Sequence, residues 1–290
     1  PRYCKLGALD EWMGIYEILF PQTHPHNIFK LTWLNPKMIG ILEDLGVKTI
    51  QDIPPTVRLN KKQQIQVKAT KENKRTINKA NIKKFLDNIS YPIYFLDYET
   101  FSKIIPPFDG LRPYQQIPFQ YSLHIIESPN GEIKHKQFLH TENSHPTLSL
   151  LNQLKQDIGA TGTILVWFEG FEKGRNKDIA LLYSEYTDFI QSINDRVIDL
   201  MVPFYEGWFV DKDFFGSASI KKVLPVLVSE LSYEKLEIKE GNTAQRLWME
   251  TIFDNKNTEK KEKIMKDLLD YCRIDTLAMV QLFKFLQKEV

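Results

Sequence analysis

Two acids stand two residues apart in the string FLDYET at residues 95–100, where Asp97 and Glu99 interrupt a run that is otherwise apolar or aromatic from Ile93 to Tyr98. In a β-strand that spacing puts both carboxylates on one face. Like charges about 4 Å apart repel by about 4 kcal/mol at an effective dielectric near ~20. A hard divalent cation, Mg²⁺ or Mn²⁺, relieves that cost through oxygen ligands. A wet strand end that caps the next turn would carry the same pair. Near the other end of the chain, LLDYCRIDT sets Tyr271 and Asp275 four apart. On a helix they share one side, a turn from each other. A tyrosine hydroxyl there can hold a water while the carboxylate reaches a cation, although an amphipathic helix with Tyr271 packed and Asp275 exposed reads the same way. Glu169 and Glu172 follow the apolar run TILVWF. Both are candidates at the carboxyl end of a strand, and the start of a helix also stabilises negative charge in its own right. Asp199, in RVIDL, is a reserve ligand.

Other chemistries find less support. Cys4 and Cys272 are the two cysteines, too few for a disulfide scaffold or a cysteine-built zinc site, and a reducing cytoplasm is the expected compartment. Cys272 reads as a small buried residue. The six histidines lie far in sequence from the acid motifs, and no Ser–His or Cys–His arrangement suggests a covalent intermediate. His124, on a strand expected to neighbour Asp97, reads as a packed core histidine. No apolar run is long enough to cross a bilayer, so no membrane partner is expected. The chain opens on Pro1 without a basic-then-apolar leader, as a piece of a longer protein would.

The elements that must position these residues follow from periodicity. Asn35 to Leu45 has helical spacing with Gly46 as its stop, and further basic, polar helix leads to Leu86. From Ile93 the period changes. IYFLDY, PFQYSLHIIE and EIKHKQFLH read as three strands, the last two joined through Asn130-Gly131, a hairpin turn signal. A helix over 147–157, the buried strand TILVWF, a helix near 171–183 and the short strand RVIDL come next. Helices at 217–228 and 242–253 and a long one from about 260 finish the chain, with 255–263 expected as a mobile charged loop. This order predicts an α/β class, a ribonuclease H-like mixed sheet with flanking helices, preceded by a small helical region, with domains at 1–90 and 91–290.

Net charge is only +1, but it is unevenly spread. Residues 56–84 carry ten Lys and Arg against Glu72, a local +9, whereas residues 85–290 carry 23 bases against 30 acids. A basic segment ahead of an acidic domain fits gripping a polyanion and holding cations, with Lys61, Lys62, Lys74 and Arg75 as phosphate contacts. A solvated lysine-rich face would look the same. The run LEDLGVKTIQDI (residues 42–53) resembles half of a helix-hairpin-helix module, used to meet nucleic-acid backbone.

Taken together, the D-x-E strand, the acid after a later strand and Y-x-x-x-D in the last helix resemble the DEDD superfamily of 3′→5′ exonucleases in its tyrosine-bearing subclass. Over residues 90–290, FLDYETF, IPPFDGLRPYQQIPFQYSLHI, FEK, GSASIKKVLP and YCRIDTLAMV resemble a bacterial family catalogued as a domain of unknown function, often found behind a RecB-type nuclease domain. The resemblance implies Asp97, Glu99, Glu172 and Asp275 as ligands of two Mg²⁺ or Mn²⁺ ions, with Tyr271 positioning the nucleophile. It implies nucleic acid, DNA or RNA with single-stranded 3′ ends, as partner and an upstream nuclease domain in the full protein. Where many relatives carry Asn four residues before the second-motif acid, this chain has Phe168, and the acid is Glu172 where proofreading exonucleases generally have Asp. Phe101 could stack a terminal base or equally belong to the core, and Lys221 or Lys222 could meet phosphate, with Ser217 as a helix N-cap. The expected activity is metal-dependent 3′→5′ phosphodiester hydrolysis. A non-catalytic nucleic-acid-binding module with a vestigial site and an endonuclease of the same fold are the alternatives.

Overall fold

The computed structural model describes residues 23–234 and 236–290, so Cys4 lies outside the described residues. The chain forms two compact units. Of the described residues, the first takes in those up to Ile82 together with Val202–Val226, and the second Lys83–Met201 with Leu227–Val290. The expected boundary near residue 90 falls close to the first crossing. The return of residues 202–226 to the first unit is a departure from the expected division at 1–90 and 91–290, and strand pairing explains it. β1 (Thr76–Ile77) has its antiparallel partner in β7 (Phe209–Val210), with Thr76 opposite Val210 and Ile77 opposite Phe209.

In the first unit, α1 (Pro36–Asp44) begins where the Asn35 side chain accepts the Met38 N–H and Pro36 takes the first helical position. It ends in a Schellman motif. Gly46, at φ +70, donates to the Glu43 carbonyl, and Val47 donates to that of Leu42. α2 (Lys61–Glu72) opens with a reciprocal capping box between Asn60 and Gln63. Ile28, Leu31, Leu42, Val47, Ile50 and Val67 belong to the unit's apolar core. α3 (Lys79–Leu86) follows β1.

The second unit is built on a mixed five-stranded sheet. Its strands are β2 (Ile93–Phe101), β3 (Ile117–Ile126), β4 (Ile133–Leu139), β5 (Thr163–Val166) and β6 (Val197–Asp199), in the spatial order β4-β3-β2-β5-β6. β2, β3 and β4 pair antiparallel, and β5 and β6 are added parallel on the other side of β2. The α/β class expected from the element order is therefore the one observed. Tyr94, Leu96 and Tyr98 point to one face of β2, where they pack with Leu150 and Leu154 of α4 (Thr147–Asp157). The alternate residues point to the other face, where the Phe95 ring meets Phe283 of the long C-terminal helix. Before β6 the chain forms α5 (Glu169–Leu182) and α6 (Thr187–Arg196). The second was not visible in the sequence, because among its residues only Ile190 and Ile193 are fully buried. α7 (Val202–Tyr205) and α8 (Ile220–Leu227) precede α9 (Gly241–Ile252) and the 29-residue α10 (Lys261–Glu289). The charged stretch 255–263, expected as a loop, includes a 3₁₀ turn at Thr258–Lys260 and the start of α10.

Candidate metal centre

β2 is buried along its whole length except at Asp97, which is partly exposed. As the period-two spacing requires, Asp97 and Glu99 share the face covered by α10. Asp97, Glu99 and Cys272 of α10 can bring one ligand atom each to within 4.8 Å of the others. Asp275 is 9% exposed and Tyr271 3%, one turn apart on α10. Tyr271 feels the acids around it: burial raises its hydroxyl pKa above the usual phenol range, and Asp275, Glu99 and Asp97 raise it further.

Glu172 completes the group. It lies in the first turn of α5 and is 1% exposed. Burial, then Asp97, then Glu99 push its carboxyl well above the ordinary carboxylate range, against the Tyr98 backbone N–H and Arg175, which favour the charge. Its Oε2 has no hydrogen-bond partner, and an orphaned buried carboxylate oxygen beside two other acids fits a cation ligand. Glu169, the other candidate, points outward and pairs with Lys173 at 2.7 Å.

Asp199 is not part of this cluster. Its register opposite Val166 brings it beneath the start of α5, where its carboxylate accepts the backbone N–H groups of Phe168, Glu169 and Met201 at 3.0, 3.0 and 2.9 Å. It caps a helix rather than holding a cation. Phe168 holds a left-handed conformation (φ +78) and is 55% exposed, a backbone state that Asn adopts more readily than Phe. Phe101 is 1% exposed, its ring 4.9 Å from Trp248 and 5.3 Å from Phe253. A ring so enclosed is a core residue and not a base-stacking platform. His124 is likewise core: it is 3% exposed, with Nδ1 2.8 Å from the Thr276 hydroxyl. Burial, with His135 and Arg273 nearby, pushes its imidazole down to about 3.

Three neighbours of the acids were missed in the sequence. Tyr233 donates its hydroxyl hydrogen to Asp275 at 2.6 Å. It sits in an irregular segment, where no periodicity marks a contact across 42 residues. Gly241 begins α9, and a Cβ there would stand 3.6 Å from Glu99 Oε2, so a helix N-terminus faces that carboxylate. Cys272 has no exposed surface, and its Sγ lies 3.7 Å from Asp97 Oδ2. Burial and then Asp97, Glu99 and Asp275 raise the thiol pKa well above its usual value. Tyr271 lies only one position from Cys272, so the sequence window was right although the thiol's proximity to Asp97 was not foreseen.

The basic residues belong to the first unit. Arg75 is held by Asp211 at 2.7 Å, and Lys62 by Glu206 at 3.0 Å, whereas Lys61 and Lys74 are exposed. Lys221 is half-buried near the start of α8. Ser217 is not the N-cap of that helix; its Oγ accepts the Ser219 N–H in the turn before it.

The fold and site thus define an α/β protein in which the mixed sheet, α5 and the last helix bring together four carboxylates and a tyrosine. A family model described as Domain of unknown function (DUF2779) matches residues 94–219, which takes in Asp97, Glu99 and Glu172 and leaves α10 outside. Uncharacterized protein MG366 of Mycoplasma genitalium is 28% identical over 234 residues, covering 74% of this chain and 33% of that protein. Uncharacterized protein UU173 of Ureaplasma parvum serovar 3 is 24% identical over 240 residues, covering 75% of this chain and 34% of its own. The chain spans about a third of the length of the curated relatives it matches. No solved structure matches it significantly.

Proposed function

We propose that the second unit is a metal-dependent nuclease of the DEDD type that removes nucleotides from 3′ ends of DNA or RNA. The observation that carries this reading is the unpartnered Oε2 of Glu172 in a buried group of acids drawn from β2, α5 and α10. The strand order, three antiparallel strands followed by two parallel ones, supports the ribonuclease H-like arrangement on which such sites are built.

Asp97, Glu99, Glu172 and Asp275 would hold two Mg²⁺ or Mn²⁺ ions. Such a pair, when bound, supplies a water activated at neutral pH and stabilises the departing oxygen of a phosphodiester. The chain's own groups do the rest. The Tyr271 hydroxyl stays protonated in this setting and can donate to, and orient, the attacking water. Tyr233 fixes the Asp275 carboxylate through Oδ1, and the N-terminus of α9 favours the ionised form of Glu99. No side chain needs to form a covalent intermediate.

The test is the purified chain with Mg²⁺ or Mn²⁺ on end-labelled single- and double-stranded DNA and RNA. Stepwise shortening from the 3′ end is expected. Cutting of a closed circle would assign an endonuclease instead. Binding without metal-dependent cleavage would leave a nucleic-acid-binding module, an outcome that the basic first unit also favours.

A further inference from the structure

We propose that the first unit carries a groove for single-stranded nucleic acid, in which Trp33 and Tyr205 stack bases and the exposed Lys61 and Lys79 meet the backbone phosphates. One exposed ring needs no explanation, but two neighbouring ones in a cleft do. Trp33 is 56% and Tyr205 39% exposed. Their rings are 5.7 Å apart, and both line a cleft of about 290 Å³. A second cleft, of about 560 Å³, shares Lys62 and Gly207 with the first and adds Lys61 and Lys79.

The arrangement is built, not incidental. Trp33 has a left-handed backbone (φ +53), unfavourable for a bulky residue. Two glutamines hold it there. Gln63, 2% exposed, donates to the Thr32 and Trp33 carbonyls, and Gln66, 3% exposed, accepts the Thr32 N–H at 2.8 Å. The Lys62 ammonium lies 4.0 Å from the Tyr205 ring centroid and 5.3 Å from that of Trp33, with Glu206 as its ion-pair partner. Lys62 therefore fixes both rings, its charge balanced by Glu206. Exposed rings beside lysines drawn from the 56–84 segment, whose local charge is +9, are the chemistry that recognises a polyanion with unpaired bases: every base offers a π-face, and the backbone offers phosphates. In a duplex the bases are already stacked on each other, so the rings would add nothing.

The proposal shares its ligand class with the nuclease reading but needs no cleavage, so the test reads binding alone. Fluorescein-labelled oligothymidylate and a duplex of equal length are titrated with the full chain in EDTA. Asn tolerates the left-handed region, so Trp33→Asn relieves strain while removing the ring. It is expected to weaken oligothymidylate binding about tenfold, leave duplex binding unchanged and not lower Tm. Tyr205→Leu is expected to act in the same direction. Lys61→Glu with Lys79→Glu should weaken both ligands and flatten the salt dependence. Unchanged oligothymidylate affinity in both ring variants, an equal loss on the duplex, or loss of the fold in both would overturn the groove. Ring-dependent binding by a chain that cleaves nothing would keep the groove and sink the nuclease reading; cleavage with ring-independent binding would do the reverse.

Discussion

Glu172 shows how much of the site is decided residue by residue. Its carboxyl is buried with one oxygen unpartnered and two other acids close enough to oppose its charge. A divalent cation at this place is expected to stabilise the fold, by about 2.7 kcal/mol at a concentration one hundred times its Kd. Thermal unfolding with Mn²⁺ against EDTA checks this: wild type should shift upward, and Asp97→Asn and Asp275→Asn should not. The same two variants should lose metal-dependent cleavage while keeping their circular dichroism, and wild-type turnover by either would dismiss the centre. Tyr271→Phe separates positioning from metal binding. It should retain the Mn²⁺ shift but cleave about a hundredfold more slowly, as single-turnover rates on a 3′-labelled strand would show. Asp97, Glu99, Tyr271 and Asp275 were legible because strands repeat every two residues and helices every three to four. Periodicity could not choose between Glu169 and Glu172, since both open α5 and only tertiary packing turns one inward; the family resemblance alone pointed to Glu172. Tyr233 escaped for the same reason, and so did the capping role of Asp199, which the sequence offered as a reserve ligand: both depend on partners distant in the chain.

At the scale of elements, β3 and α10 are joined by a buried polar network in which Ser122 and His124 of β3 both meet the Thr276 hydroxyl, and Ser122 also meets His135 of β4. Arg273 of α10 adds positive charge beside both imidazoles. His124 stays neutral in the fold down to about pH 3, whereas in the unfolded chain it protonates below its ordinary value of 6.5. Between those limits the unfolded state binds the extra proton, so stability is full above pH 6.5 and declines as pH falls. The slope from this one group is at most about 1.4 kcal/mol per pH unit. His135, His140 and His145 are depressed by burial in the same direction. Urea midpoints at pH 7.5, 6.0 and 5.0 should therefore fall with pH, and His124→Gln should make that fall shallower. An equal slope in the variant would place the proton uptake elsewhere. Most of these elements could be read ahead from apolar spacing and from Gly46 and Asn130-Gly131. α6 could not, because DFIQSIND is mostly polar and its two buried isoleucines leave too little period to recognise.

For the molecule as a whole, the charge imbalance along the sequence is distributed between two units. The structure changes which basic residues can be tested. Arg75 and Lys62 already have acidic partners, so reversing them would break Arg75–Asp211 and Lys62–Glu206. Lys61, Lys68, Lys74 and Lys79 are exposed, and their reversal to Glu is the cleaner experiment. The slope of log affinity against log salt for a single strand should flatten by up to about 0.7 for each phosphate that is no longer neutralised. Anisotropy between about 50 and 200 mM salt reads that slope. An unaltered slope would make the lysines a solvated face. The charge pattern that motivates this test was plain from counting residues. The two-part path of the chain was not, because a two-residue strand such as β7 carries no pattern of its own.

That path constrains the order in which the protein can be made. Asp97, Glu99 and Glu172 are synthesised before residues 202–226, and Tyr271 and Asp275 after them. Between the two halves of its carboxylate cluster, the second unit must wait while the ribosome supplies a piece that belongs to the first. Neither unit can be cut out at a single peptide bond, and removing everything before residue 83 would strand β7 without the partner it has in β1. A shuffled or truncated gene would thus inherit both units or a damaged pair, which ties the two together as one heritable block.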